Sequence, residues 1–302
     1  MPGATPPCVL TIGGTDSGGG AGVAADLRTF AAYGVHGALA VTAVTAQDTN
    51  RVHASEPVRA SFLAAQIEVV ARDLRPEAAK TGYLGSTASV AAVSALAAYG
   101  TLRRLVVDPV LVSSSGEPLF TGGDMTAAVR ALLTSAIVAT PNTYEAALLL
   151  GWPPDELGDL AAAEEAAREL QSLGPSLVVV TGGRRRGKEA VDVAFDGVAV
   201  THLAARFVET PNVHGSGDVF SAAVAAGLAL GWGPLEAALS AKGFVQAAIE
   251  RSAGWRLGSG HGPVDPLDLE ARRAEREASR PGNPARPAAQ GLEDDGSSSG
   301  AP

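Results

Sequence analysis

Short apolar runs alternate with longer amphipathic runs along most of this 302-residue chain. The runs at 9–12 and 177–181 have the length and the β-branched content of buried strands. The segments between such runs, for example 87–99, are long enough to form helices. Strands separated by helices pair in parallel, and a parallel sheet needs a helical layer on each face. The alternation therefore predicts an α/β fold with a mostly parallel central sheet covered by helices on both faces.

The predicted elements leave one edge of this sheet antiparallel. Two runs at 191–195 and 198–203 are split by Asp196 and Gly197, which is typical of a hairpin. The other predicted strands cover 9–12, 38–45, 78–81, 105–107, 136–139 and 177–181. The predicted helices cover about 20–33, 62–74, 87–99, 125–133, 160–173, 218–230 and 234–250. We therefore expect a mixed sheet in one folded domain over residues 1–270.

The composition changes near the end of the chain. Residues 281–302 are rich in Pro, Gly, Ser and acidic residues and contain few apolar side chains. A segment of this composition cannot bury enough apolar surface to fold. We expect 271–302 to be a disordered C-terminal tail without a catalytic role.

The formal net charge of −9 makes nucleic-acid binding through a general basic surface improbable. We find neither a secretory signal nor an apolar stretch of the roughly 20 residues that span a membrane. Cys8 is the single cysteine, so no intrachain disulfide can form and a reducing compartment is consistent. We therefore expect a cytoplasmic protein that binds neither nucleic acid nor membrane.

A glycine-punctuated loop, His214-Gly215-Ser216-Gly217-Asp218, precedes an alanine-rich helical segment. Glycines expose backbone N–H groups, and a helix N-terminus adds unpaired donors and the positive end of the dipole. Such a loop binds phosphate. An aspartate within it would repel the phosphate, but its presence is explained if it faces a hydroxyl group that attacks the phosphate. Taken alone, the pattern is equally consistent with Asp218 as a simple helix N-cap.

A second glycine-rich segment follows the first predicted strand. It contains Gly20-x-Gly22-x-x-Ala25, which is close to a dinucleotide fingerprint, and Asp48 lies roughly where a ribose-binding acid is expected. A Rossmann-type NAD(P)-binding protein is therefore one hypothesis. The glycines start well after the strand, however, which weakens it. A Walker P-loop is excluded because the sequence has no Gly-Lys-Ser/Thr.

Polar residues that follow the other predicted strands are further site candidates. The Gln47 amide can form two hydrogen bonds with the edge of a heterocycle, one as donor and one as acceptor. Tyr83 can stack on an aromatic substrate. Lys80 is either a surface lysine or the partner in a buried ion pair. Ligands bind beyond the carboxyl ends of parallel strands, so these side chains are expected to share one site.

Three oxygen-bearing residues, Asp108, Asn142 and Glu145, also follow predicted strands. Magnesium prefers oxygen ligands and keeps several waters, so these residues could hold Mg²⁺. The alternative is that Asn142 and Glu145 cap a helix after Pro141. Basic residues at 184–186 and Lys242 could reach phosphates, although each is more often a solvated surface charge.

These motifs resemble those of the hydroxymethylpyrimidine/phosphomethylpyrimidine kinases of thiamine biosynthesis, within the ribokinase-like superfamily. The resemblance covers residues 8–268. The first two of the blocks that carry it are specific to this kinase group, and the last is shared across the superfamily. The blocks are Gly14-Thr15-Asp16-Ser17-Gly18-Gly19-Gly20-Ala21-Gly22 with Ala25-Asp26-Leu27, Thr42-Ala43 with Ala46-Gln47-Asp48-Thr49, Lys80-Thr81-Gly82, Val107-Asp108-Pro109-Val110, Thr140-Pro141-Asn142 with Glu145, and His214-Gly215-Ser216-Gly217-Asp218.

The resemblance implies a three-layer α/β/α ribokinase-like fold and a homodimer. It also implies ATP- and Mg²⁺-dependent phosphorylation of 4-amino-5-hydroxymethyl-2-methylpyrimidine and then of its monophosphate, with Asp218 as base. The implied substrate-binding residues are Gly14, Asp26, Thr45, Gln47 and Tyr83; the implied ATP and anion-hole residues are Thr181, Gly183, Gly215, Ser216, Gly217 and Lys242; the implied metal-site residues are Asp108, Asn142 and Glu145.

The chain departs from the family pattern at three places. Members usually carry Gly-Thr-Gly-Cys where this chain has Gly215-Ser216-Gly217-Asp218. Tyr83 stands at a position that is often occupied by methionine. Thr181 and Arg184 replace a lysine and a histidine that often flank the nucleotide-loop glycines. These departures bear on the identity of the substrate more than on the reaction, and pyridoxal kinases, which share the fold and many motifs, are the main alternative.

Overall fold

The computed structural model describes residues 4–111, 124–153, 157–186 and 188–280. The chain divides into two compact units, Met1–Leu267 and Asp268–Pro302. In the second unit the helix α9 (Leu269–Ala278) begins at Asp268, whose side chain accepts a hydrogen bond from the Ala271 N–H at 3.2 Å. Of the predicted disordered tail 271–302, residues 271–278 belong to α9, and residues 281–302 lie outside the described part of the chain.

The first unit is built on a central sheet of eight strands among the described residues, in the spatial order β10-β9-β8-β7-β6-β5-β1-β2. Strands β2, β1, β5, β6, β7 and β8 are parallel, and β9 and β10 continue the sheet as antiparallel strands. The strands are β1 (Cys8–Gly13), β2 (His36–Val41), β3 (Ala43–Gln47), β4 (Val52–Pro57), β5 (Ala78–Thr81), β6 (Leu105–Val107), β7 (Val138–Ala139), β8 (Leu177–Arg186), β9 (Glu189–Phe195) and β10 (Val200–Arg206).

Helices cover both faces of the sheet because successive strand residues point to opposite sides. Val9 and Val106 pack among residues of α1, α7 and α8, whereas Leu10 and Val107 pack among residues of α2 to α6. The helices are α1 (Gly22–Tyr33), α2 (Ala60–Asp73), α3 (Thr87–Ala98), α4 (Met125–Leu133), α5 (Thr143–Leu150), α6 (Leu160–Gln171), α7 (Ser216–Ala229) and α8 (Pro234–Ser252). The predicted α/β/α fold with a mostly parallel sheet and an antiparallel edge is confirmed.

The predicted strand at 38–45 is wrong in one respect, because the chain leaves the central sheet at Thr42. The Thr42 N–H donates to the Gly13 carbonyl, and its hydroxyl donates to the Tyr83 carbonyl at 2.6 Å. After this bend β3 pairs with β4 in a separate two-stranded sheet. This β3–β4 hairpin brings Thr45 and Gln47 toward the carboxyl ends of the parallel strands.

Among the described residues, no helix combines the length and the apolar character that crossing a bilayer requires.

Candidate active site

A cavity of about 420 Å³ opens at the carboxyl ends of the parallel strands. Its lining includes residues that directly follow β1, β5, β6 and β7, together with the N-terminus of α7 and one face of the β3–β4 hairpin. Open parallel sheets bind their ligands at this edge. The cavity therefore lies where the sequence predicts the functional site.

The N-terminus of α7 forms one wall of this cavity. Gly215 precedes the helix with a φ of 77°, a left-handed conformation that favours glycine. A Cβ at this position would run into the carbonyl oxygen of Gly20, so the two glycine-rich loops approach more closely than other residues allow. The N–H groups of Gly217 and Asp218 lie in the first helical turn, where a helix supplies no carbonyl partner. This wall can bind an anion.

Asp218 lies beside this wall and forms an ion pair with a buried lysine. Its Oδ1 is 3.1 Å from Nζ of Lys80, and its side chain is 18% exposed. The same Nζ lies 2.8 Å and 3.0 Å from the two carboxylate oxygens of Asp26. Thr11 donates a hydrogen bond to Asp26 Oδ2 at 2.5 Å. Lys80 and Asp26 are fully buried, so the pair has little access to solvent.

The charges in this group influence one another. Burial alone would lower the pKa of Lys80, but the carboxylates of Asp26, Asp218 and Asp108 outweigh it and hold that pKa above its usual value. Burial raises the pKa of Asp26 to about 6 although Lys80 opposes this change. Lys80 is therefore a permanent cation in the floor of the cavity at neutral pH.

A second buried contact joins the two glycine-rich loops. His214 Nε2 lies 2.9 Å from Asp16 Oδ2, and this carboxylate also accepts hydrogen bonds from the N–H groups of Gly18, Gly20 and Ala21. Burial would raise the pKa of Asp16, but these hydrogen bonds, above all that of His214, bring it below its usual value. The contact fixes the loop after β1 against the loop before α7.

Asp108, Asn142 and Glu145 lie together at the end of the cavity near β6 and β7. Asn142 and Glu145 form a capping box at the start of α5, with both hydrogen bonds at 2.9 Å, and Glu145 also accepts from the Leu111 N–H at 3.3 Å. Asp108 accepts a hydrogen bond from Ser221 Oγ at 2.7 Å. The capping role considered for Asn142 and Glu145 is therefore present, and both residues also line the cavity.

Burial raises the pKa of Asp108 to about 7 and that of Glu145 to about 8, and repulsion from neighbouring carboxylates adds to the effect. The described residues contain no cluster of three or more His, Cys, Asp or Glu side chains arranged to ligate a metal directly. The buried hydroxyl of Thr140, which also lines the cavity, has no hydrogen-bond partner among the described residues. Two carboxyl groups that a nearby cation would ionise, and an unsatisfied hydroxyl in the same cavity, fit a hydrated cation and its phosphate better than a cation held by protein atoms alone.

The opposite end of the cavity is lined by Gly14, Thr45, Gln47 and Tyr83. The Thr45 hydroxyl donates to the Thr15 carbonyl at 2.8 Å, which ties the β3–β4 hairpin to the loop after β1. A Cβ on Gly14 would lie 2.8 Å from Cδ1 of Tyr83, so the tyrosine ring covers this glycine closely. An aromatic ring, an amide side chain and a hydroxyl around a narrow space can accept a small flat heterocycle.

The structure brings together most of the predicted site residues. Thr181 lines the cavity beside Asn142, to which it is joined by an isolated β-bridge. Lys242 does not line it, because its Nζ pairs with Asp192 at 2.6 Å between α8 and β9. Gly183 belongs to β8. The burial of residues 183–187 lies outside what the structure describes, so the position of Gly183 relative to the cavity stays a prediction.

Sequence reasoning left Lys80 unassigned and missed the contact of His214 with Asp16. A signal for Lys80 was present: it stands in a strand of four residues whose neighbours are alanine and threonine. A strand in the middle of a covered parallel sheet buries both faces, and a buried lysine requires a carboxylate partner. The partner itself could not be named from the sequence.

The chain matches the family described as phosphomethylpyrimidine kinase over residues 16–265. It is 43% identical over 256 residues to a hydroxymethylpyrimidine/phosphomethylpyrimidine kinase of Rhizobium meliloti, covering 84% of this chain and 95% of that protein. A Bacillus subtilis pyridoxal kinase in complex with ADP has a TM-score of 0.79 and 34% identity, covering 88% of this chain and 99% of that one. The structure of a phosphomethylpyrimidine kinase of Clostridium difficile has a TM-score of 0.70 and 32% identity, and the match covers 80% of this chain and 99% of that one. The resemblance stated from the motifs is confirmed: the chain belongs to the phosphomethylpyrimidine kinase family.

Proposed function

We propose that this protein transfers the γ-phosphoryl group of ATP to the hydroxymethyl group of 4-amino-5-hydroxymethyl-2-methylpyrimidine, and then phosphorylates the monophosphate. The observation that carries the proposal is the position of Asp218. It lies on the first turn of α7, beside the anion-binding wall, in the same cavity as Gln47 and Tyr83. A base between a phosphate site and a heterocycle site suits phosphoryl transfer to an alcohol.

In this mechanism the acceptor ring lies between Gln47, Thr45 and Tyr83, with its hydroxymethyl group toward Asp218. Asp218 orients the hydroxyl and takes its proton late, because phosphoryl transfer passes through a loose transition state. The N–H groups at the start of α7 bind the transferred group and stabilise the charge on its oxygens.

Magnesium bound with ATP would neutralise phosphate charge at the other end of the cavity. We assign this region to Asp108, Asn142 and Glu145, with Thr140 as an additional hydroxyl that can bind water or phosphate. Glu145 and Asn142 already use polar atoms in the capping box, so they would contact the ion through water. The nucleotide phosphates would then extend toward Thr181 and the strand that carries Gly183.

The second candidate is a pyridoxal kinase. Several solved relatives of this chain carry that name, including the Bacillus subtilis enzyme and one from Staphylococcus aureus in complex with AMP-PCP and pyridoxal. Both acceptors are flat six-membered rings with a hydroxymethyl group, so the same catalytic end would serve either. The NAD(P) hypothesis finds no support among these kinase relatives.

A direct assay separates the two acceptors. ADP release is coupled to a spectrophotometric readout with the hydroxymethylpyrimidine, its monophosphate and pyridoxal as acceptors in parallel. We expect kcat/KM for the pyrimidine to exceed that for pyridoxal by about tenfold or more, which corresponds to about 1.4 kcal/mol of differential binding. A preference for pyridoxal would establish the second candidate instead. A phosphorus NMR spectrum of the pyrimidine product distinguishes the monophosphate from the diphosphate.

The proposal extends to the setting in which the enzyme works. The single cysteine and the metabolic substrates suit the reducing cytoplasm, and within the same proposal the protein acts as a homodimer. Light scattering on the purified protein measures the oligomeric state, and a mass of one chain would contradict the dimer.

A further inference from the structure

We propose that Lys80 is a positioning residue for the phosphoryl-transfer base: it holds one carboxylate oxygen of Asp218 so that the other is presented to the acceptor hydroxyl. The inference rests on the proposed function, because it assumes that Asp218 is the base. It assigns a role to a buried cation that the mechanism above does not use.

The geometry gives Lys80 a fixed position. It lies on β5 and is fully buried, and its Nζ contacts both oxygens of Asp26 at 2.8 Å and 3.0 Å. Asp26 is itself held by the Thr11 hydroxyl. Asp26 of α1, supported by Thr11 of β1, therefore fixes the position of the ammonium group. Its third contact is Asp218 Oδ1 at 3.1 Å.

The same contact defines the orientation of the Asp218 carboxylate. Gly82 lies against the contact, since a Cβ there would be 3.3 Å from Lys80 Nζ and 3.7 Å from Asp218 Oδ1. Backbone thus covers one side of the pair. With Oδ1 bound on the buried side, Oδ2 is the oxygen left for the cavity, where the side chain is partly exposed.

Charge gives a second reason for the lysine. The titratable groups that act on Asp218 are Asp26 from α1, Asp108 after β6, Glu145 from α5 and Lys80 from β5. The first three are acids, and Lys80 is the cation that contacts Asp218 among the described residues. The lysine therefore offsets part of the negative charge that surrounds this carboxylate.

A purely structural alternative is that Lys80 only neutralises Asp26. Both roles predict that Lys80→Met alone is unstable, because that change leaves a buried, unpaired carboxylate. The informative comparison is therefore between Asp26→Asn and the double variant Lys80→Met/Asp26→Asn. Both lack the Asp26 charge, and they differ only in the lysine. Lys80→Gln/Asp26→Asn serves as a second, polar double variant if the methionine version does not fold.

The experiment measures kcat and the KM values for ATP and acceptor for these proteins and the wild type. Circular dichroism and thermal melting confirm folding. We expect kcat of the double variant to be about 10- to 100-fold below that of Asp26→Asn, which is the size of loss that follows small misplacement of a catalytic group. Both KM values should change by less than about threefold, because the described contacts of Lys80 Nζ are with Asp26 and Asp218. A loss in kcat with nearly constant KM values is the result that a purely structural role of the lysine does not predict.

Equal kcat in the double variant and in Asp26→Asn would overturn the inference, since Lys80 would then serve folding alone. A loss confined to the KM values would overturn it as well. The wild-type arm tests the proposed function separately. Wild type that phosphorylates neither acceptor contradicts the proposed function and with it this inference, whereas active wild type with matching variants contradicts only the role of Lys80.

Discussion

At the scale of single residues, the cavity separates two tasks among its carboxylates. Asp218 lies at the helix terminus with a cation beside it, whereas Asp108 and Glu145 are buried with no cation in contact among the described residues. Burial raises the pKa of these two acids, and a bound cation would favour their ionised forms. In the proposed mechanism, the same type of side chain serves proton transfer at one place and cation binding at another.

Asp218→Asn removes the base and keeps the size of the side chain. We expect kcat to fall by about 100-fold or more, while the affinity for ATP changes little, because the N–H groups of the loop remain. Asp73→Asn, an exposed acid at the end of α2, is the matched control and should retain wild-type turnover. Steady-state kinetics and a nucleotide titration provide the two measurements. Wild-type turnover by Asp218→Asn would show that the base is a different group.

The buried acids predict how stability depends on pH in the absence of ligands. The folded protein holds the pKa of Asp108 at about 7 and that of Glu145 at about 8, above their values in the unfolded chain. The folded state then binds more protons than the unfolded state between about pH 5 and 8, so the free energy of unfolding falls as pH rises through this range. The slope is at most about 1.4 kcal/mol per pH unit for each group.

Urea unfolding at several pH values without divalent cations measures this dependence. Asp108→Asn should flatten the slope, because its amide does not titrate. Asp26, whose pKa burial raises to about 6, adds to the fall in the lower part of this range, so Asp108→Asn removes only part of the slope. Lys80 and Asp16 do not obscure the result, since the contribution of the first is lost only above about pH 10 and that of the second only below about pH 4. Stability that rises from pH 5 to 8 would contradict the assignment of these two acids.

At the scale of elements, the loop before α7 depends on the close approach of backbone to backbone. Gly215→Ala would place a Cβ against Gly20 in a left-handed conformation, so we expect a loss of stability of about 1–3 kcal/mol together with a loss of activity. Gly243→Ala is the matched control, because a Cβ on this residue of α8 would meet no described atom within 4 Å. That variant should be as stable as wild type or more stable by up to about 1 kcal/mol. Thermal melting of both variants tests the prediction, and equal stability of Gly215→Ala would refute it.

The sequence predicts elements well where burial imposes a period and poorly where it does not. The parallel strands and α4 follow their apolar patterns, and the predicted 125–133 coincides with α4. The strand β4 was missed because its residues are almost all exposed, so no alternation of buried and exposed side chains marks it. The bend at Thr42 depends on hydrogen bonds to Gly13 and Tyr83, which are distant in the sequence.

The site divides in the same way. Asp108 follows β6, Gln47 ends β3 and Asp218 lies in the first turn of α7, so their common edge could be predicted from the fold class. The ion pair of Lys80 with Asp218 joins residues 138 positions apart, and the contact of His214 with Asp16 joins residues 198 apart. Such pairings are set by the register and packing of whole elements, which one sequence does not display.

At the scale of the whole molecule, the unit Met1–Leu267 contains every described residue that lines the cavity. We therefore predict that a chain ending at Arg280 keeps the kcat and the melting temperature of the full-length protein. Size-exclusion chromatography with light scattering on both forms shows whether the last 22 residues, 281–302, affect assembly. A lower kcat of the shortened chain would show that the C-terminal segment contributes to catalysis.

In the proposed function, the β3–β4 hairpin separates the choice of acceptor from the transfer reaction. It stands outside the central sheet and contributes Thr45 and Gln47, whereas Asp218 and the anion-binding wall belong to the central layers. Ser17 bonds the glycine-rich loop to the N–H and the carbonyl of Gln47, so this attachment is independent of the side chain at position 47. Mutations on the hairpin can accordingly accumulate without disturbing the phosphoryl-transfer groups, and exchange of this one segment between related vitamin kinases is a direct route to enzymes with altered acceptors.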